Sequence, residues 1–327
     1  MKFLRTFVAG AALITCSCPR SGDAALAPAS QAPSESGSKA SLTEVVLDAA
    51  TTLEAPVVLA LLDSRLPVVE ADIDGCGKAR LVVDSAAEIT MLDVAFAERC
   101  GLAQRPFGIE VLVNAADGSQ QRLERVAHVD RLSFGGPDAS AKASGLDCPL
   151  INLASLPGAV DGILGQDVIG DWALLFLPAR RELVLLPSEG LTQRLAEFFP
   201  SNTPLESMEL QGESRIANIP FSFGDGEGVL TMDLHLDTGA THTSLPRPAL
   251  EAMGLHGGTK TESTTLGGVG QRMAFKIADF PLGSQRLELI VHDTPDATGL
   301  LGYDALSQRA FVLDGPGRRL MVEVRAQ

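Results

Sequence analysis

The chain carries one pattern twice, and this limits its fold more than any other feature. "VVDSAAEITML" (82–92) and "HLDTGATHTSL" (235–245) place Asp84 and Asp237 153 positions apart. The same offset pairs Ala87 with Ala240, Thr90 with Thr243, Leu92 with Leu245, Glu98 with Glu251, Gly101 with Gly254 and Leu102 with Leu255. A second block aligns "GILGQDVIGDWALLFLPARRELVLL" (162–186) with "GLLGYDALSQRAFVLDGPGRRLMVE" (299–323) at an offset of 137. Two ordered blocks at nearly constant spacing predict two equivalent units that differ in loop length.

Each unit reads as strands, an aspartate turn, a short helix ("DVAFAERCGL" or "PRPALEAMGL"), further strands, an apolar-Leu-Gly-x-Asp step and closing strands. Strand-like runs rich in Val, Leu and Ile, such as "LPVVEADID" and "RRELVLLP", begin near residue 66. "DGCGK" and "GDGEG" read as hairpin turns. We divide the chain into a signal at 1–25, a flexible Ala/Ser/Pro-rich tether at 26–60 and a first lobe at 61–187. A helical connector at 188–204 then leads to a second lobe at 205–327.

Of the 327 residues, 26 are Lys or Arg and 41 are Asp or Glu, so a net charge of -15 argues against nucleic acid as a partner. Lys2 and Arg5 precede a short apolar run that fits a signal h-region and is too short to span a bilayer, which predicts export. "LITC" (13–16) resembles the lipobox of bacterial lipoproteins, which implies membrane attachment through a lipidated Cys16; cleavage near Ala24 or Ala25 without lipidation is the other reading. The destination is the periplasm in one case and the outer membrane or cell surface in the other. Cys76, Cys100 and Cys148 remain, an odd number that fits one disulfide and one buried thiol without fixing the pair.

Apolar-x-apolar-Asp-[Thr/Ser]-[Gly/Ala]-Ala-x-x-Thr-x-Leu, a helix ending in Gly-Leu and a later apolar-Leu-Gly-x-Asp together resemble the retropepsin-like aspartic proteases, from about residue 66 to 325. The resemblance implies an all-β fold of two retropepsin- or pepsin-like lobes related by a pseudo-twofold, each with one short helix. It implies aspartic endopeptidase activity by an Asp84/Asp237 dyad acting on a peptide or protein, by a monomer and without cofactor or metal. Ser85, Ala86, Thr238, Gly239 and Ala240 would form the supporting turns, with the hydroxyls of Ser85 and Thr238 locking them together. "LGGVGQRM" (266–273), with Gly267, Gly268, Val269 and Gly270, resembles the family's flap; "NAADGSQQRL" (114–123) is the poorer counterpart.

Two like carboxyl groups held close cannot both ionise, so the pair shares a proton and can act as base and acid on a bound water. Ala86 departs from the family's glycine; if the turn needs a glycine-only backbone angle, alanine there costs about 1 kcal/mol or more. Two other arrangements follow from that departure. One is a peptide-binding scaffold whose first motif has decayed, and the other is a homodimer that uses Asp237 from two chains. Asp167 and Asp304 read as helix-capping or structural carboxylates. The five histidines, His128, His235, His242, His256 and His292, lack metal-ligand spacing, and His235 shares a strand face with Asp237. Trp172 and Phe176 read as core residues of the closing strands.

Overall fold

The computed structural model describes residues 50–114, 120–135, 141–156, 158–200, 203–212, 215–223, 229–265, 268–295 and 298–324. The first unit runs β1 (Ala50–Leu53), β2 (Val57–Ala60), β3 (Val68–Ile73), β4 (Gly77–Val83), β5 (Met91–Asp93), α1 (Val94–Cys100), β6 (Gln104–Asn114), β7 (Gln120–Phe134), β8 (Ala141–Ile151), β9 (Gly162–Leu164), α2 (Gln166–Ile169), β10 (Ala173–Leu177) and β11 (Glu182–Leu186). A short helix α3 (Leu191–Leu195) connects it to the second unit. That unit runs β12 (Leu205–Glu209), β13 (Asn218–Phe223), β14 (Leu230–Leu236), β15 (Ser244–Pro246), α4 (Arg247–Ala252), β16 (Thr259–Thr265), β17 (Gly268–Leu282), β18 (Gln285–Thr294), β19 (Gly299–Leu301), α5 (Tyr303–Leu306), β20 (Phe311–Asp314) and β21 (Arg319–Glu323). From β3 and from β13 the element order is identical. The fold is all-β with two lobes, as the doubled text predicts.

In the first lobe β7 pairs with both β8 and β3, which closes β3-β4-β9-β5-β8-β7 into a ring with β1 and β6 at its margins. The second lobe repeats the order as an open sheet, β13-β14-β19-β15-β18-β17-β16. The lobes are joined by a third sheet, β12-β21-β20-β10-β11-β2, to which each half gives three strands. At its centre β10 and β20 run antiparallel, with Leu175 opposite Val312. These two are themselves counterparts, since 312 − 175 = 137, and a residue paired with its own equivalent marks a local twofold axis. Beside it Phe176 and Phe311 stack with ring centroids 4.3 Å apart. Both are fully buried, and Trp172 is nearly so.

Two details of the sequence reading change. Residues 50–60, assigned to the tether, form β1 on the edge of β8 and β2 on the edge of the inter-lobe sheet. Alternation explains β2, since Val57 and Leu59 enter the core while Val58 and Ala60 face outward. Each lobe also has a second helical turn, α2 or α5, directly after its Leu-Gly step. "DGCGK" forms the β3–β4 turn with Gly75 and Gly77 at positive φ, whereas "GDGEG" lies outside the described residues.

Helix α1 starts at Asp93, whose Oδ1 accepts the Phe96 N–H at 3.1 Å, and ends at Gly101 in a left-handed conformation with φ of 66°. Its last residue, Cys100, forms a disulfide with Cys76 in the β3–β4 turn, across a Cα–Cα distance of 5.1 Å. Cys148 remains a thiol in the first-lobe core, where burial pushes its ionisation well above the usual range. Among the described residues no helix is long and apolar enough to cross a membrane.

Candidate active site

Strands β4 and β14 run parallel to the short strands β9 and β19, pairing Val83 with Leu164 and Leu236 with Leu301. The chain then leaves each sheet at an aspartate. Asp84 N–H donates to Leu164 O and Asp237 N–H to Leu301 O, both at 3.0 Å, so the two residues emerge at matching positions. Each carboxylate folds back on its own turn. Asp84 Oδ1 accepts the N–H groups of Ala86 (2.8 Å) and Ala87 (3.1 Å), and Asp237 Oδ1 accepts that of Ala240 (3.0 Å).

The residues after the aspartates bind the turns to one another. Ser85 Oγ donates to Leu236 O at 2.7 Å and accepts the Thr238 N–H at 3.0 Å. Thr238 Oγ1 donates to Val83 O at 2.7 Å and accepts the Ser85 N–H at 3.0 Å. Each hydroxyl therefore uses its proton and a lone pair across the lobe boundary, and both residues are fully buried. The hydroxyl is the functional requirement here, which is why serine and threonine can alternate.

With the turns locked, the carboxyl groups of Asp84 and Asp237 come into hydrogen-bonding contact inside one chain. Both are buried. Burial raises the Asp84 pKa to about 6, against the opposing pull of the Ala86 N–H, the Asp237 side chain and the Ala87 N–H. A buried pair of this kind holds a proton that two exposed aspartates would lose.

The family model for aspartyl proteases matches residues 69–168 and 219–305, more than half of the chain and one match to each unit. The chain belongs to the aspartyl protease family. No curated protein matches the sequence. The matches open in β3 and β13 and close in α2 and α5, at counterpart places in the two units, and leave the strands of the inter-lobe sheet outside.

Ala86 does not have the backbone that the sequence made a concern. Neither it nor any other residue of the two aspartate turns has a positive φ, and Ala86 is fully buried. Glycine matters on the other side of the pair for a different reason. A Cβ on Gly239 would lie 2.5 Å from both Cγ and Oδ2 of Asp84, so the Asp84 carboxyl occupies the space a side chain would need.

Beneath each turn lies a matching brace. Asp167 Oδ1 accepts both the N–H (2.8 Å) and the hydroxyl (2.7 Å) of Thr90, and Asp304 Oδ1 accepts both from Thr243 at 2.8 Å. Both carboxylates are structural, but they sit inside the first helical turn; the N-cap positions are Gly165 and Gly302. Burial raises the Asp167 pKa.

Gly268, Val269 and Gly270, expected from the resemblance to belong to a flap, open strand β17 and pair with Thr265, Thr264 and Ser263, with Val269 projecting at 68% exposure. Gly267 lies outside the described residues. The first lobe has a hairpin in the same place, β6–β7, in which Asn114 pairs with Gln120; residues 115–119 lie outside the described residues too. His235 contacts Asn218 Oδ1 at 2.5 Å on the neighbouring strand. His242 and His292 stack at 4.7 Å, with His242 Nδ1 3.5 Å from Asp304 Oδ2.

Sequence reasoning passed over Gln166, which reaches the first turn, and Arg215, which holds Gln166 in turn. Gln166 Nε2 donates to Ser85 O at 2.9 Å, and Arg215, from the second unit, donates through Nη1 to Gln166 O at 3.1 Å. The available signal was that Gln166 and Tyr303 differ at counterpart positions, between a Gly and an Asp that both repeats share.

Proposed function

We propose that the protein is an aspartic endopeptidase whose Asp84/Asp237 pair activates water for hydrolysis of peptide bonds. The observation that carries this reading is the contact between the two carboxyl groups, held by the reciprocal Ser85 and Thr238 bonds within one chain. In this mechanism one carboxylate takes a proton from water as it attacks the scissile carbonyl. The protonated partner polarises the carbonyl oxygen and then helps protonate the leaving nitrogen. Turn N–H groups keep the carboxylates aimed during that exchange. The raised Asp84 pKa favours the singly protonated pair below about pH 6 and therefore an acid-shifted optimum.

The pairing of unlike halves supports a single-chain site over one built from two copies of Asp237. The ordinary backbone at Ala86 supports a working first lobe over a decayed one. Hydrolysis of a mixed peptide pool by the purified protein should disappear in Asp237→Asn and in Asp84→Asn and be blocked by a transition-state-mimicking aspartic protease inhibitor. Unchanged cleavage by Asp237→Asn would sink the assignment. Export remains part of the proposal, with substrates met outside the cytoplasm. Loss of the protein from the membrane fraction in Cys16→Ser would support lipid attachment.

A further inference from the structure

We propose that Gln166 is a positioning residue for Asp84, holding the Ser85–Ala86 peptide plane that aims the carboxyl group at Asp237. The inference rests on the dyad reading above. Gln166 Nε2 donates to Ser85 O at 2.9 Å, and at the other edge of that peptide the Ala86 N–H donates to Asp84 Oδ1 at 2.8 Å. A peptide unit is planar, so rotating it breaks both bonds together. Fixing its oxygen therefore fixes the direction of the hydrogen that Asp84 accepts.

Gln166 is itself held firmly. It is 5% exposed, its backbone N–H donates to Ala87 O at 2.8 Å, and its backbone oxygen accepts Arg215 Nη1 at 3.1 Å. The backbone contact has a counterpart in the second lobe, where Tyr303 N–H donates to Ala240 O at 2.8 Å. Among the described residues the Tyr303 side chain makes no such bond to the second turn. The lobe with alanine in its aspartate turn is thus the lobe with glutamine beneath it, and the lobe with glycine has tyrosine. In the first turn, the amide bond supplies an anchor for the peptide between Ser85 and Ala86.

The test compares Gln166→Leu with Gln166→Glu in the full chain. Leucine removes the donor; glutamate can donate to Ser85 O only when protonated. Gln166→Leu should lower kcat about tenfold with KM within about twofold. Its Asp84 carboxyl, followed by carbon-13 NMR, should titrate above the wild-type value, because the Ala86 N–H bond that favours the ionised form is weakened. Gln166→Glu should recover towards wild-type kcat as the pH is lowered, while Gln166→Leu does not. A wild-type Asp84 titration in Gln166→Leu, or equal pH profiles for the two variants, would overturn the proposal. The titration needs no turnover, so an inactive wild-type protein would refute the protease reading and leave this measurement decisive. Should the leucine variant fail to fold, Asp84 in the near-isosteric glutamate variant, read above and below the glutamate ionisation, separates the same two outcomes.

Discussion

Gly239→Ala gives this chain two alanine turns in place of one, and the geometry sets the size of the effect. The new Cβ would stand 2.5 Å from Cγ and Oδ2 of Asp84 and 3.0 Å from its Cβ. Ordinary carbon contacts begin near 3.4 Å, so the Asp84 carboxyl or one of the turns must move by about 1 Å. Asp84 cannot swing away freely, since Oδ1 is tied to Ala86 and Ala87 and its backbone to Leu164. A misplacement of that size costs on the order of 100-fold in rate, and crowding of a packed site about 1–3 kcal/mol in stability. The assay is kcat/KM on a cleaved peptide together with urea denaturation. The reciprocal change, Ala86→Gly, should keep activity and lose no more than about 1 kcal/mol, since Ala86 already has an ordinary backbone. Wild-type turnover in Gly239→Ala would refute the claim that glycine is needed there for space.

Thr238→Val removes the donor to Val83 O and the acceptor of the Ser85 N–H, leaving two buried backbone groups unpaired; a loss of about 2–4 kcal/mol in chemical denaturation is expected. Asp84 binds a proton in the folded state between pH 3.8 and about 6 that the unfolded chain releases, so its contribution to stability declines as pH rises through that window. Asp84→Asn, whose side-chain oxygen can still accept from Ala86 and Ala87, should therefore have a higher Tm than the wild type at pH 7. His292 works in the opposite sense. Burial, followed by the charge of His242, lowers its pKa from 6.5 to about 4, so the unfolded chain takes up the proton first and stability declines as pH falls through that range. His292→Phe should flatten the acid limb of the unfolding free energy plotted against pH, from denaturant titrations, by up to about 3 kcal/mol at its lower end.

The offset of 137 made the two equivalent units legible in the sequence, and the pairing of Leu175 with Val312 shows the local twofold that relates them. The all-β lobes followed from strand-length apolar runs, and the lobe counterparts from the position of the aspartates. Three features were hidden because they depend on contacts distant in sequence. The Cys76–Cys100 bond needs the β3–β4 turn to meet the end of α1. Strands β1 and β2 are four residues each and lie beside an unpatterned stretch, so only the neighbours they pair with reveal them. The need for glycine at 239 comes from a carboxylate 155 residues earlier, and no local backbone rule could express it.

The inter-lobe sheet gives this molecule a freedom that a symmetric assembly lacks. When two identical chains build a twofold site, every substitution appears on both sides of the axis, and a methyl harmless on one side must also be tolerated on the other. Here the covalent link brings the halves together at a local concentration independent of dilution, and Ala86 is met once. Each side of the axis can then specialise, one with alanine over glutamine and the other with glycine over tyrosine, while the strands through Leu175 and Val312 preserve the frame that both require.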